Sequence, residues 1–372
     1  VSASTPTYAL PYPVGGDDVR DGDNTIKLLA ERVETLLAAR DATIAQLLAL
    51  PGSRNVIRNG DCQIAQRGPG PFTTSGRYTI DGWYQFVSGG TMTANLRQLT
   101  LGTGARYGME SVVASQSAAG DFAGWTFVVE GVHRLAGQQA TLSFEAFSGT
   151  GTPKVGVECV QYFGSGGAPS AIVYTPVAAI TISTTKTRYF VTFTVPSLTG
   201  KTYGSSGTDS LQINIYLSSG TTNASHASSI GIQNATITLT DVQLEAGSLA
   251  TPFDRLPQAL QMVWNQRYFI RKLYSAANTA VASGTAWQNF DYYCALHYPT
   301  MRAAPTLTAS AQTHFSAWGG GASGTSTAVA AAGTSADSLE LHVNTAAGPT
   351  SGQGVWIRNG TAGAYLDLSS EL

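Results

Sequence analysis

Hydrophobic positions change period twice along the chain. From Asn24 to about Leu50 they recur every three or four residues. Ile26, Leu29, Val33, Leu36, Leu47 and Leu50 share one heptad seam, which Arg40 and Thr43 interrupt. Leu37, Ile44 and Leu48 widen the stripe. The spacing predicts a helix with Asp23 as its N-cap and Pro51-Gly52 as its terminator. A lone helix of this length cannot bury such a stripe against itself. The stripe packs either on the β-region that follows or on copies of the chain, and the breakers on both sides favour self-association.

From Arg54 to about Phe253 the period becomes two. GWTFVVEGV, ATLSFEAF, VGVECVQYF, YFVTFTV, LQINIYL and ATITLTDVQL are runs of strand length, separated by turns such as Gly164-Ser165-Gly166-Gly167. They predict an antiparallel sandwich of eight to ten strands, with a jelly roll the expected form. Pro257 to Lys272 returns to helical spacing through Leu260, Val263, Trp264, Arg267 and Tyr268. A second β-region follows, with alternation in TAWQNFDYYCALHYP, SLELHV and GVWIRN. The low-complexity run GGGASGTSTAVAAAGTSA lies between them as loop or weak strand. The chain is therefore expected to be mainly β, in five parts. These are an extended arm (1–23), a coiled-coil helix (24–52), a jelly-roll sandwich (53–256), a linking helix (257–274) and a small C-terminal β-sandwich (275–372).

Composition narrows the function. Charged residues make up 12% of the 372, about half the usual share, and there are 41 glycines. Seven of the 23 acidic residues fall in the first 41 positions, which sets the arm and helix apart from the rest. A net charge of −2 argues against a nucleic-acid binder, which needs a basic face to displace counterions. No apolar run is long enough to cross a bilayer. The first 16 residues lack the basic start and apolar core of a secretory signal, so an extracellular role would be reached by assembly into a particle. Cys62, Cys159 and Cys294 are too few and too dispersed for a disulfide framework and read as buried small hydrophobes.

Catalytic constellations are not visible. His133, His226, His297, His314 and His342 show no metal-ligand spacing, and no cysteine lies near another, so no metal or cofactor is implied. Gly102 and Gly104 form a G-x-G without the Lys-Ser/Thr that a phosphate loop requires. Asp81, Glu130, Glu145, Glu158 and Asp241 could meet across a sandwich as a glycosidase pair. Their plainer reading is as solvated strand faces and turn caps. Trp83-Tyr84 and Tyr292-Tyr293 could offer platforms for sugar rings, but adjacent strand residues point to opposite faces, so one of each pair belongs to the core.

Three stretches carry a resemblance. NVIRNGDCQIAQRGPGPFTTSGRYTIDGW (55–83), FVVEGVHRLAGQQATLSFEAF (127–147) and ITLTDVQLEAGSLATPFDRLPQALQMVWNQRYF (237–269) resemble segments of tail-fibre, minor tail and other appendage proteins of tailed bacteriophages. That family is built on a jelly roll similar to carbohydrate-binding modules. ALPYPVGGDDVRDGDNTIKLLAERVE (9–34) and HYPTMRAAPTLT (297–308) are similar to minor tail proteins of actinobacterial phages. Asp254, Leu256 and Trp264-Asn265 depart from the family's usual residues. The resemblance implies a non-enzymatic virion protein assembled in the host cytoplasm. It would be a homotrimer on a parallel three-stranded coiled coil. Residues 1–23 would bind another virion structural protein, and the chain would attach from the tail tip to host-surface glycan, with no nucleic-acid partner and no membrane insertion. A head fibre of the same architecture and a glycan depolymerase are the alternatives. Within the motifs, Phe253 is expected to plug the end of the core, and Arg267 to pair with a carboxylate of this domain or of a neighbouring copy.

Overall fold

The computed structural model describes residues 3–4, 11–12, 22–48, 54–100 and 104–372, with the backbone alone for 3–4, 11–12, 22–25 and 41–48. Two short strands, β1 (Ala3–Ser4) and β2 (Pro11–Tyr12), pair with each other, and helix α1 (Gly22–Leu48) lies against β2. The helix starts ahead of Asp23, which places that residue in the first turn rather than at the cap. Its expected terminator, Pro51-Gly52, lies outside the described residues.

Eleven strands build the sandwich. They are β3 (Arg77–Tyr78), β4 (Tyr84–Ser88), β5 (Thr91–Gln98), β6 (Tyr107–Ala114), β7 (Phe122–Glu130), β8 (Gln139–Ser148), β9 (Lys154–Tyr162), β10 (Val173–Thr181), β11 (Thr187–Thr194), β12 (Ser210–Ser219) and β13 (Thr236–Ala246). One sheet runs β10-β9-β12-β7-β4-β3 and the other β11-β8-β13-β6-β5. Strict alternation places Leu211, Ile213, Ile215 and Leu217 of β12 inside, opposite Leu142, Phe144, Leu239 and Leu244 of the second sheet. Trp83 packs edge-on against Trp125 and Phe127 at centroid distances of 5.3 and 4.7 Å. Both indole N–H groups are satisfied, by Asn59 O and Ser111 Oγ at 2.9 Å.

The opening and closing motifs form one structure. Asn55 donates to Val242 O (2.9 Å) and accepts from the Leu244 N–H (3.0 Å), so the first residues of the sandwich are stitched to its last strand. Buried Glu245 accepts from the Thr251 N–H at 2.9 Å and its hydroxyl at 2.6 Å, holding the turn out of β13. Asp254 accepts from the Arg54 N–H at 2.8 Å. Phe253, expected to plug the end of the core, is only half-buried, lies beneath the Arg255 guanidinium and is not part of the core cluster.

The remainder comprises α2 (Gln258–Gln266), β14 (Phe269–Tyr274), β15 (Ala280–Gln288), β16 (Asp291–His297), β17 (Thr306–Ala309), β18 (Phe315–Gly319), β19 (Ala322–Thr334), β20 (Ser338–Thr345), β21 (Gly354–Asn359) and β22 (Ala364–Ser369). The linking helix expected over 257–274 stops at Gln266, because residues 269–274 pair with β22 and join the C-terminal unit. Its amphipathic sense is also reversed. Gln261 and Asn265 are buried, Gln261 bonding Asp61 Oδ2 at 3.2 Å, while Leu260 and Val263 face solvent. The low-complexity run becomes β19, a strand of 13 residues. The C-terminal β-unit, expected as a small sandwich, takes the form of a closed barrel, β15-β16-β20-β19-β18-β21, with the sheet β14-β22-β17 packed against it. Bulges in β15 and β19 supply the bending that closure requires. The two units meet at a buried seam: Arg67 pairs with Glu371 at 2.5 Å, and Gln66 donates to Phe269 O at 2.8 Å.

Candidate functional site

The outward face of the six-stranded sheet carries the site. Register places Tyr84, Thr126, Asn214 and Glu158 on one row across β4, β7, β12 and β9. Phe86, Gly124, Tyr216 and Gly156 form the next row, and Val128, Gln212, Val160 and Tyr174 the row on the other side. The two glycines are forced. A Cβ on Gly124 would lie 2.6 Å from the Phe86 ring, and one on Gly156 would lie 2.2 Å from Ala227 O. Their absence lets Phe86 lie across the sheet and lets the loop between β12 and β13 fold down onto it. Ala227 and Ile230 of that loop pack on Tyr216, with Phe86 and Phe122 alongside.

Beneath the loop sits Glu158, wholly buried on the sheet face. Its carboxylate accepts from Asn214 Nδ2 at 2.9 Å and from the Tyr216 hydroxyl at 3.3 Å, and it meets His226 Nδ1 at 2.5 Å. Thr126 donates to Asn214 Oδ1 at 2.7 Å, which fixes the amide's orientation. Tyr174 lies edge-on to the His226 ring at 4.7 Å. Burial, with the Glu158 charge beside it, pushes the Tyr216 hydroxyl well above the usual phenol range, so it stays a donor. A buried carboxylate with three partners is a fastening. It ties the loop to the sheet and leaves a groove of about 270 Å³ alongside, walled by Phe86, Phe122, Tyr162 and Tyr174 and floored by Gln212 and Asn214. Aromatic faces with a few fixed amide groups suit a ligand that is apolar on its ring faces and polar at its rim. No Asp or Glu lines this groove.

A larger cavity of about 690 Å³ lies at the seam between the units, with Glu130, Arg134, Asp209 and Arg267 among its lining residues. There Glu130 accepts from Arg267 Nε and Nη2 at 3.0 and 2.8 Å and from the Tyr268 hydroxyl at 2.8 Å. This is the carboxylate partner expected for Arg267, within the same chain.

Ile26, Leu29, Val33 and Leu36 are all exposed on the single chain, from 38% for Val33 to 64% for Leu36. Leu47 lies on α1 where only the backbone is described, and Leu50 lies outside the described residues. The carboxylates are paired rather than solvated. Asp81 accepts from Gln66 (2.7 Å), Glu145 meets Lys186 (2.5 Å) and Asp241 meets Arg255 (2.5 Å). Trp83 and Tyr292 are core, while Tyr84 and Tyr293 are half-exposed, and all three cysteines are free and buried. Among the described residues no cluster of His, Cys, Asp or Glu could hold a metal ion, and no helix is long and apolar enough to cross a membrane. The groove residues were missed. LQINIYL already showed Gln212, Asn214 and Tyr216 at alternate positions, but only the register brings Phe86, Tyr162 and Tyr174 beside them.

No family model matches the chain, and no curated protein matches it in sequence. Among solved structures, the enzymatically active domain of tailspike protein 4 of bacteriophage CBA120 is 13% identical, over 52% of this chain and 22% of that one, with a TM-score of 0.31. The CBM22-2 xylan-binding domain of Paenibacillus barcinonensis Xyn10C is 15% identical over 48% of this chain and 100% of its own, with a TM-score of 0.31. The family 11 carbohydrate-binding module of Clostridium thermocellum, solved with a mixed-linked tetrasaccharide, is 11% identical over 48% and 96%, with a TM-score of 0.31.

Proposed function

We propose that this chain is a non-catalytic attachment protein of a tailed-phage virion, a trimeric tail fibre or minor tail protein that binds host-surface glycan. The observation that carries the glycan part is the aromatic and amide groove on the jelly roll, whose lining contains no carboxylate. Glycoside hydrolysis needs two carboxyl groups flanking the bond, so the groove is equipped to hold a sugar and not to cut it. The virion part is supported by the resemblance of residues 55–83 and 237–269 to phage appendage proteins. The trimer is supported by Ile26, Leu29, Val33 and Leu36, which leave one heptad seam in solvent on a single chain. Multiple copies on one stalk let weak sugar contacts add.

Calorimetric titration of the purified chain with tetrasaccharides of xylose, glucose and galactose tests the groove. At least one should bind, Tyr174→Ala should weaken it about tenfold, and no reducing sugar should be released. Binding that survives Tyr174→Ala and Tyr162→Ala together, or binding to none, removes the groove from the reading. Immunogold labelling of intact particles tests the address. Gold at the tail end is expected, and gold over the head would make the chain a head fibre.

A further inference from the structure

The C-terminal barrel exposes large aromatic residues that the groove does not use. Trp318 is 40% and Trp356 57% exposed, whereas Trp83 and Trp125 are wholly buried. Trp318 of β18 and Trp356 of β21 are cross-strand partners on the outward face. Trp318 is opposite Ser323 of β19 on its other side, and Trp356 is opposite Ser283 of β15. Two indoles therefore stand side by side on a surface of small residues. The Trp318 indole N–H donates to Ser316 Oγ at 2.8 Å, which fixes its ring.

Two residues along β21 from Trp356 is Arg358, whose guanidinium carbon lies 5.1 Å from the Trp318 ring and 5.4 Å from the Trp356 ring. Cation–π contact of this kind leaves guanidinium N–H groups free to donate, and no hydrogen bond engages those of Arg358 among the described residues. No carboxylate pairs with Arg358 among the described residues, unlike Arg67, Arg97, Arg255, Arg267 and Arg271. A cavity of about 620 Å³ opens over these side chains, with Gly284, Gly319 and Gly354 on its floor. Packing requires the first two glycines, whose Cβ atoms would come within 2.0 Å of Tyr293 O and 2.2 Å of Gly354 O. Gly354 is different. A Cβ there meets nothing within 4 Å, so what its missing side chain provides is a clear floor beside Trp356.

We propose that this surface is a second binding site, for a glycan that carries hexuronate. The apolar face of the pyranose stacks on Trp356 and Trp318, and the sugar carboxylate accepts the paired N–H groups of Arg358. A single unpaired guanidinium matches one planar carboxylate in charge and geometry, and the jelly-roll groove has no Lys or Arg in its lining with which to compete for it. The site shares only the ligand class with the function proposed above, and the two can fail separately.

The test uses the full chain, with tryptophan fluorescence and calorimetry as readouts and two probes, tetragalacturonate and a hyaluronan tetrasaccharide. At least one should bind and quench fluorescence. Trp356→Ala and Arg358→Gln should each weaken it about tenfold or more, and raised salt should weaken it in the parent but not in Arg358→Gln. Gly354→Val, which has room to fold, should block the floor and abolish binding with an unchanged melting curve. Tyr174→Ala, in the other groove, should leave the affinity as it is. The proposal is overturned if neither hexuronate binds, if Gly354→Val binds normally, or if a neutral galactose tetrasaccharide binds as tightly and is as sensitive to Trp356→Ala. Loss of hexuronate binding in Tyr174→Ala alone would transfer the site to the jelly roll.

Discussion

Asp241 offers a test in which the sign of the effect is opposite to intuition about ion pairs. It lies in a bulge of β13, in the left-handed region at φ 50°, and meets Arg255 at 2.5 Å. It is 5% exposed, Asp61 lies close by, and its second carboxylate oxygen has no partner. Burial is the largest influence and outweighs the attraction of Arg255, so the carboxyl is pushed up from 3.8 to about 6. The folded protein therefore holds a proton that the unfolded chain has released between these two values. Stability from this group is present in full below 3.8 and is lost as pH rises through about 6. That difference corresponds to about 3 kcal/mol against the folded state at neutral pH. Asn has the shape of the neutral acid and tolerates the left-handed conformation, so Asp241→Asn removes the penalty without disturbing the bulge. The variant should be more stable than the parent by about 3 kcal/mol at about pH 7.5, and the gap should close toward about pH 4. Calorimetric melting reads this as about 6–12 °C for a domain of this size. A variant that melts below the parent at neutral pH, or a gap that does not close in acid, would refute the reasoning.

Glu130 should behave in the reverse sense. Burial raises its carboxyl, but the hydrogen bonds from Arg267 and Tyr268 prevail and lower it, so its contribution is present at neutral pH and lost as acid protonates it. Solvent screening at this half-exposed pair limits Glu130→Gln to about 1 kcal/mol, seen as a smaller acid-side fall in melting temperature than the parent shows. Gly60→Ala should cost about 2–3 kcal/mol in denaturant unfolding, because its Cβ would lie 2.0 Å from Val242 O and separate the stitched motifs. Leu29→Ser with Leu36→Ser should reduce the mass seen by light scattering to that of one chain, and an unchanged mass would show that the exposed stripe is not the contact between copies.

Much of the fold was legible because its signals are local. Alternation in residues 124–132, 155–163 and 211–217 marks strands whatever they pair with, and the heptads of residues 26–36 mark a helix. What escaped depended on partners far away in sequence. Residues 257–272 read as one helix because Arg267 and Tyr268 continue the spacing of Leu260 and Val263. The pairing of Phe269–Tyr274 with β22, about a hundred residues on, overrides that spacing. The apolar face of α2 misled for a related reason: the chain buries Gln261, which donates to Asp61, and Asn265, which donates to Gln261 O, and leaves Leu260 and Val263 in solvent. Site residues were hidden in the same way. Trp356 and Arg358 stand two apart on β21, a visible spacing, but Trp318 joins them only through the register of β18.

That dependence also decides how the C-terminal unit can be tested. Deleting residues 275–372 would look like a clean removal of the distal part. The cut would strip β14 of its partner β22, and would take Glu371 from Arg67, which is 16% exposed, and from Arg58, which is 5% exposed. Two guanidinium groups would be left at the seam without their counter-charge, and removing one partner of a buried pair costs about 3–5 kcal/mol. Failure of such a truncation to bind cells would then report a damaged sandwich as readily as a missing adhesin. Gly354→Val and Arg358→Gln leave the seam intact and alter only the outward face of the barrel. Point variants of that kind therefore separate the two units in a way that deletion does not.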